Sequence, residues 1–365
     1  HQHCLMNSIP FVSYRKPNTL DIVTFFPGKS GIHEIKSLRQ ILSLAGFVFF
    51  PFRVTEKTPG YLFQPRHILH GNRFSKEETI FLDRGELSVP ESGLDRTELH
   101  ISSREEYNDQ IAALLSAVHS GKLNKAILSR IMLVDPFDTD NIPDIFQGLL
   151  GKYPEAYTYM FFIPGKELWL GAFTESLLRI RDNKISTMSV AGTQAMRNRA
   201  LETICWDSKD IEEQRTVSEY IRKRFRQFGI SDYTEDGPYA FRAGKIVHLR
   251  TDFTADIRVS REILGQLLEA LHPTPAVCGT PKQDAIQKIL AVEQHDRLYY
   301  SGFMGTVNID NETNLFVNLR CMKVLSGKLA LFAGGGIVSE SDPDKEWEET
   351  CIKAQTLLSV IKHHQ

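Results

Sequence analysis

From Ser103 onward the apolar positions fall into regular helical and strand periods. Ser103 and Glu106 have the spacing of a capping box, Tyr107, Ile111, Leu114 and Val118 mark one helical face, and Gly121 ends the helix. A strand follows over Lys125–Val134, whose alternation puts Lys125, Ile127, Ser129, Ile131 and Leu133 on one side. Strands are predicted over 157–163 and 168–180, joined through Pro164-Gly165, and over 184–190, ending at Ala191-Gly192-Thr193. The period then becomes helical over 208–228, with Val217, Tyr220, Ile221, Phe225 and Phe228 on the apolar face. Glu213 lies four residues before Val217 and so points inward, which is costly for a carboxylate unless something compensates its charge.

Further on, strands are predicted over 246–253, 301–309, 314–324 and 329–332, and helices over 261–271 and 281–292. Before residue 100, strand-like runs (22–26 and 46–52) alternate with turn clusters and carry no recognisable chemistry. Long strands interleaved with helices, some strands joined by short turns, predict a mixed α+β architecture. Near the end, Gly334-Gly335-Gly336 reads as a loop whose bare backbone admits an anion. Asp342 is the expected N-cap of the last helix and Pro343 its first residue, with Glu349 and Lys353 sharing a face one turn on. Taken alone, this segment reads more readily as a surface Glu–Lys pair after a glycine-rich turn.

Composition narrows the field. A hydrophobic content of 42%, with 22 Phe and 11 Tyr, suffices for a sizeable core. A net charge of −2 argues against a nucleic-acid partner, and the basic run at 222–226 is the solvated face of an amphipathic helix. The five cysteines are scattered and never spaced as CxxC, which fits a reducing compartment without a disulfide framework or a zinc site. The most apolar run, 41–52, contains Pro51 and is too short to span a bilayer, and the start of the chain has no signal-peptide pattern. A cytoplasmic location is expected. No GxGxxG or GxxxxGK[ST] occurs, so the nucleotide-binding folds are not supported.

Several short motifs coincide in order: 125–130 (KAILSR), 171–175 (GAFTE), 191–193 (AGT), Lys209-Asp210 with Glu213, 248–251 (HLRT) and 271–277 (LHPTPAV). They continue with Glu293, Arg297, Tyr300 and Gly302, then Arg320, 334–338 (GGGIV), 341–343 (SDP), and Glu346-Trp347 with Glu349, Thr350 and Lys353. The ordered set resembles the chorismate-utilising enzymes, and among them the isochorismate synthases. The resemblance covers roughly residues 100–360. It implies one α+β domain spanning 1–365, built from two large, mostly antiparallel sheets packed together with helices outside. Residues 1–100 would be its divergent N-terminal part and 101–362 the family core.

The resemblance also implies roles. Isochorismate synthases move a hydroxyl on the chorismate ring: water attacks C2, the double bonds shift and the C4 hydroxyl leaves, which requires a base and an acid. Lys125 matches the base and Glu175 the acid. The base requires a populated neutral amine and the acid a raised pKa, both of which burial promotes. Glu213 and Glu349 match the pair that holds Mg²⁺, the implied cofactor, which would explain the inward Glu213; a buried ion pair with a lysine or arginine is the competing account. Arg320, Lys353 and the amides of Gly334, Gly335 and Gly336 match the cradle for the enolpyruvyl carboxylate. Gly192, Thr193, Ala276 and Val277 match the lining of the ring site, and His248 and Tyr300 are further pocket candidates.

Three positions depart from the family pattern. Gln194 stands where many relatives have Arg, Gln214 where His usually follows the metal glutamate, and Thr174 where a Pro precedes the acid. None removes a group assigned to the reaction, so they are expected to act from behind the contacting residues. Lys125 suits water rather than ammonia as the nucleophile. Ala191 offers none of the nucleophilic lysine that aminodeoxychorismate synthases place before Gly-Thr, and no cysteine has the surroundings of a glutaminase triad. Salicylate synthase, which adds pyruvate elimination to the same first step, is the alternative activity. A catalytically silent chorismate-binding protein is the other alternative. The chain is expected to be a monomer, its product feeding menaquinone or catecholate siderophore biosynthesis.

Overall fold

A computed structural model describes residues 1–71, 74, 82, 94–196, 200–243 and 246–362. A short helix α1 (Gln2–Met6) precedes four strands: β1 (Phe11–Arg15), β2 (Ile22–Ile35), β3 (Gly46–Phe50) and β4 (Gly60–His70). Helix α2 (Arg104–His119), strand β5 (Lys125–Val134) and helix α3 (Ile142–Lys152) follow. Next come β6 (Tyr157–Ile163), β7 (Glu167–Phe173), β8 (Ser176–Arg181) and β9 (Lys184–Ala195). The chain continues through α4 (Ser208–Gln227), β10 (Tyr233–Ala243), β11 (Ile246–Asp256), α5 (Arg261–Leu271), β12 (Gly279–Thr280) and α6 (Lys282–Val292). It closes with β13 (Phe303–Ile309), β14 (Glu312–Val317), β15 (Cys321–Leu325), β16 (Lys328–Ile337) and α7 (Pro343–Ile361).

Among the described residues, sixteen strands lie in one antiparallel hydrogen-bonded order, β10-β11-β9-β8-β14-β13-β3-β4-β2-β1-β6-β7-β15-β16-β5-β12. The two expected sheets are therefore halves of one continuous ladder. In a flat sheet β14 and β6 would stand roughly 29 Å apart at the usual interstrand spacing. Their Tyr157 and Phe316 rings nevertheless stack at 4.3 Å, so the ladder folds over onto itself. An aromatic core fills the fold: Phe49 lies 4.4 Å from Phe161 and 4.2 Å from Tyr299 between ring centroids, and all three are fully buried. The divergent N-terminal strands occupy the middle of the order, β3 against β13 and β1 against β6.

Helices cover the outer faces. The predicted stripe Tyr107, Ile111, Leu114 and Val118 packs with Ala126, Leu128 and Ile337 of β5 and β16. Val217, Ile221 and Phe225 of α4 pack with Ile185 of β9 and Phe253 of β11. The Ser103–Glu106 capping box forms, and the Asp342 side chain accepts from the Lys345 amide to start α7 at Pro343.

Three differences from the sequence expectations cluster together. The strand predicted over 168–180 breaks at Thr174-Glu175, and that over 314–324 breaks at 318–320. The glycine triplet, expected to be a loop, lies within β16 and pairs with Ile127, Leu128 and Ser129 of β5. Apolar residues still alternate across 317–321, so periodicity hides the second break, whereas the first is marked only by the short polar run Thr174-Glu175-Ser176 between two apolar stretches. Strand β10, in turn, carries charged, glycine and proline positions that mask its period.

Phe49→Ala should cost about 3–5 kcal/mol, the range for emptying a buried aromatic site. Urea denaturation measures it, and a loss below about 1 kcal/mol would mean that the folded-over halves are not held by this core.

Candidate active site

The folded sheet leaves one large cavity of about 630 Å³ at the open ends of β5, β7, β9, β11 and β16, closed on one side by the start of α4 and by α7. Every residue expected at the site lines it: Lys125, Glu175, Gly192, Thr193, Glu213, His248, Ala276, Val277, Tyr300, Arg320, Gly334, Gly335, Gly336, Glu349 and Lys353.

The centre is a bare strip of β16 beneath three acid–lysine pairs. Lys125 Nζ lies 3.6 Å from Glu213 Oε2, Lys209 Nζ 3.2 Å from Glu346 Oε1, and Lys353 Nζ 2.5 Å from Glu349 Oε1. The glycines make room for these charges. A Cβ on Gly336 would stand 2.8 Å from Lys125 Cε, and one on Gly335 would stand 2.9 Å from Glu346 Oε2. Pairing of β15 with β16 runs only to Leu331, so the triplet is paired on the β5 side alone, and the Gly334 carbonyl accepts from Lys353 Nζ at 2.8 Å.

Electrostatics separates the acids. Burial alone would raise Glu349, but Lys353 outweighs it and holds this carboxyl below its ordinary range. Burial and the neighbouring Glu349 push Glu346 up. Its Oε1 accepts from Ser341 Oγ at 2.7 Å, while Oε2 is buried with no partner. Burial disfavours the Lys209 ammonium, yet Glu346 and Glu213 outweigh that and raise it. Among the described residues no three carboxylates, imidazoles or thiols converge as a closed metal cage; each acid is held by a lysine instead. Glu213 and Glu349, which share the cavity, still suit a hard divalent cation that takes one or two carboxylates and keeps most of its water shell.

Glu175 sits across the cavity in the break between β7 and β8 and is 9% exposed. Burial pushes its carboxyl up to about 7 against the opposing pull of Arg320, Lys125 and Lys353. Arg320 occupies the other break, between β14 and β15, in the left-handed region at φ 44°. Such a backbone is costly for a non-glycine residue. Burial lowers its guanidinium, opposed by the nearby acids Glu349 and Glu175. His248 Nδ1 stands 2.9 Å from the Gly192 carbonyl and 3.2 Å from Thr193 Oγ1. A carbonyl only accepts, so Nδ1 carries the proton and Nε2 is the acceptor. Burial, with Arg320, lowers His248 to about 4 and keeps the ring neutral. Tyr300 stacks on Phe332 at 5.6 Å, and burial holds its phenol at about 12, a neutral donor at physiological pH.

The sequence matches the model of a family described as chorismate binding enzyme over residues 70–362. The chain belongs to that family. The vibriobactin-specific isochorismate synthase of Vibrio cholerae is 30% identical over 264 residues, 71% of this chain and 67% of that one. Isochorismate synthase EntC of Escherichia coli is 27% identical with the same coverage. Among solved structures, the menaquinone-specific isochorismate synthase MenF of Escherichia coli superposes with a TM-score of 0.76 at 22% identity, covering 99% of this chain and 91% of that one. The putative isochorismate synthase DhbC of Bacillus anthracis gives the same TM-score at 21% identity, covering 96% and 95%. At that identity the two structures speak to the fold. Among the described residues no helix is long and apolar enough to cross a membrane.

Within this chorismate-binding chain, Lys209 and Glu346 belong to the ordered motifs, yet the sequence alone assigns them no role. Spacing held the signal for Glu346, which stands one turn before Glu349 on the same helix. The three departures divide. Thr174 and Gln194 line the cavity themselves, so they do not act from behind it; Gln194 also donates to Asp210 at 3.0 Å. Gln214 is buried away from it, with Nε2 at 2.9, 3.0 and 2.5 Å from the hydroxyls of Ser189, Ser218 and Thr251.

Glu175 binds its proton more tightly in the folded chain than in the unfolded one. Its contribution therefore favours the fold at low pH and is lost as pH rises from about 4.5 through about 7. Glu175→Gln should match the parent in stability near pH 4 and exceed it by about 3 kcal/mol at pH 8.5. Urea unfolding of both proteins across that range tests this, and an unchanging difference would show that the carboxyl is not raised.

Proposed function

We propose that the protein is an isochorismate synthase acting on chorismate. The observation that carries this reading is the meeting of Lys125 and a protonatable Glu175 in one cavity, close enough for each charge to act on the other, within a chorismate-binding chain. A protein that only bound chorismate would need neither a base nor an acid.

Lys125, as the neutral amine, accepts a proton from the water that attacks C2 of the ring. Glu175 gives its proton to the C4 oxygen, which departs as water, so atoms and charge balance. An acid near pH 7 is suited to that transfer. Arg320 and Lys353 offer positive charge to the enolpyruvyl carboxylate, and Gly192, Thr193, Ala276, Val277, His248 and Tyr300 enclose the ring. Ala191, which has no nucleophilic atom, leaves water as the reagent.

Glu213 and Glu349 would hold Mg²⁺, with the unpartnered Oε2 of Glu346 as a further donor. When bound, the ion supplies positive charge that anchors the ring carboxylate and compensates Glu213 beside Lys125. The N-terminal strands belong to the same folding unit in this reading, because β3 pairs with β13 and β1 with β6.

Incubation with chorismate and Mg²⁺ should yield isochorismate on chromatography, and EDTA should abolish the conversion. Lys125→Ala should lower turnover on the order of 100- to 10,000-fold, the usual contribution of a positioned base, while chorismate still binds. Salicylate with pyruvate as products would move the assignment to salicylate synthase. Full turnover by Lys125→Ala would refute the mechanism.

A further inference from the structure

Strand β5 carries Lys125 and is almost an edge strand. Its outer neighbour β12 contributes two residues, pairing with Lys125 and Ala126, and one more bond runs from the Ile127 amide to the Cys278 carbonyl at 3.1 Å. Beyond that point side chains take over the ladder. Arg297 Nη2 donates to the Ile127 carbonyl at 2.6 Å, and the Ser129 amide donates to Glu293 Oε1 at 2.7 Å. The two side chains are themselves joined, Nε to Oε2 at 2.8 Å and Nη2 to Oε1 at 2.6 Å, and Arg297 is 2% exposed. The remaining arm, Nη1, donates to the Val277 carbonyl at 2.8 Å, behind the pocket wall. The face of the guanidinium rests on Phe52, 4.6 Å from its centroid.

One planar cation thus grips two walls of the same cavity, the strand with the base and the segment with Ala276 and Val277. A guanidinium can do this because its donors diverge in a rigid plane, whereas an ammonium on a flexible stem cannot hold three fixed acceptors at that spread. We propose that Arg297, oriented by Glu293, is a positioning residue that sets the gap between the Lys125 strand and the Ala276–Val277 wall. The proposal rests on the chorismate chemistry assigned above to this cavity. Neither side chain lines the cavity, so its effect on the reaction runs through Ile127, Ser129 and Val277.

Arg297→Lys keeps the charge beside Glu293 but loses the divergent grip. It should remain folded, with kcat on the order of 100-fold lower, as expected when a reacting group is misplaced by about 1 Å. KM should rise several-fold as the wall recedes. Hydrogen exchange should accelerate at 125–129 and 276–279 and stay unchanged in α4. Glu167→Gln, at the buried Lys323 pair away from the cavity, is the control and should cost stability while leaving kcat unchanged. Values of kcat and KM within twofold of the parent, or an exchange increase spread evenly over the chain, would overturn the proposal. If Arg297→Lys does not fold, Glu293→Gln is measured in its place, and the same results support or overturn the proposal. A parent protein that leaves chorismate unchanged would sink the functional reading, whereas the exchange pattern still decides whether Arg297 couples the two walls.

Discussion

Taking a carboxylate or an ammonium out of water costs several kcal/mol per ion, and a fold that buries many of them must supply partners at close range. The cavity of this protein meets that demand by setting Lys125, Lys209 and Lys353 against Glu213, Glu346 and Glu349 over a stretch of strand, 334–336, that carries no side chains. The arrangement depends on the glycine triplet. A Cβ at Gly335 would stand 2.9 Å from Glu346 Oε2, and one at Gly336 2.8 Å from Lys125 Cε and 3.2 Å from Glu213 Oε1, so these side chains would have to shift. The β5–β16 ladder is therefore the platform of the site: β5 brings Lys125, β16 provides the space, and α7, starting just beyond β16, lays Glu346, Glu349 and Lys353 across it.

The two remaining charged groups come from interruptions in the sheet. Glu175 and Arg320 each sit where a strand stops and a neighbour begins, and their segments touch, since the Ala172 amide donates to the Arg320 carbonyl at 3.2 Å. A residue inside a strand has its direction set by the pleat, whereas one in a break can be aimed freely. Arg320 accepts a left-handed backbone for this freedom. The charged groups thus divide by origin: Lys125 comes from the ladder, five come from the two helices laid over it, and Glu175 and Arg320 come from breaks between strands.

Periodicity revealed most elements, and the strands over 125–134 and 157–163 have the bounds that alternation predicts. What escaped it was the part shaped by function. Arg320 lies in a run that still alternates, and Glu175 in a polar run too short to end a predicted strand, so both breaks become plain only in the paired sheet. The triplet 334–336 looks like a loop because glycine weakens a strand, and only tertiary pairing with β5 overrides that preference. The fold-over of the ladder was equally unreadable, because no local pattern says that Tyr157 will meet Phe316. The site residues were legible for a different reason: ordered short motifs carry the imprint of a chemistry, not of a geometry. Glu346 shows the limit of that route, since its burial and its unpartnered oxygen appear only once α7 is docked.

The charge balance around the glycine strip bears on substrate choice. Lys125, Lys209, Lys353 and Arg320 face Glu213, Glu346 and Glu349, while Glu175 is poised between its two forms near neutrality. These side chains leave at most one net positive charge, and Glu155, Asp207, Asp210, Glu340 and Asp342 also line the cavity against Lys345, so the pocket on its own cannot neutralise a ligand with two carboxylates. A divalent cation beside the glutamates would supply the missing positive charge. Neither ion nor dianion is well compensated without the other, so the two are expected to reinforce each other's binding at this site. This mutual dependence explains why acids and lysines both belong in one pocket. The lysines hold the glutamates together, and the glutamates in turn offset the repulsion among the cations that share the cavity.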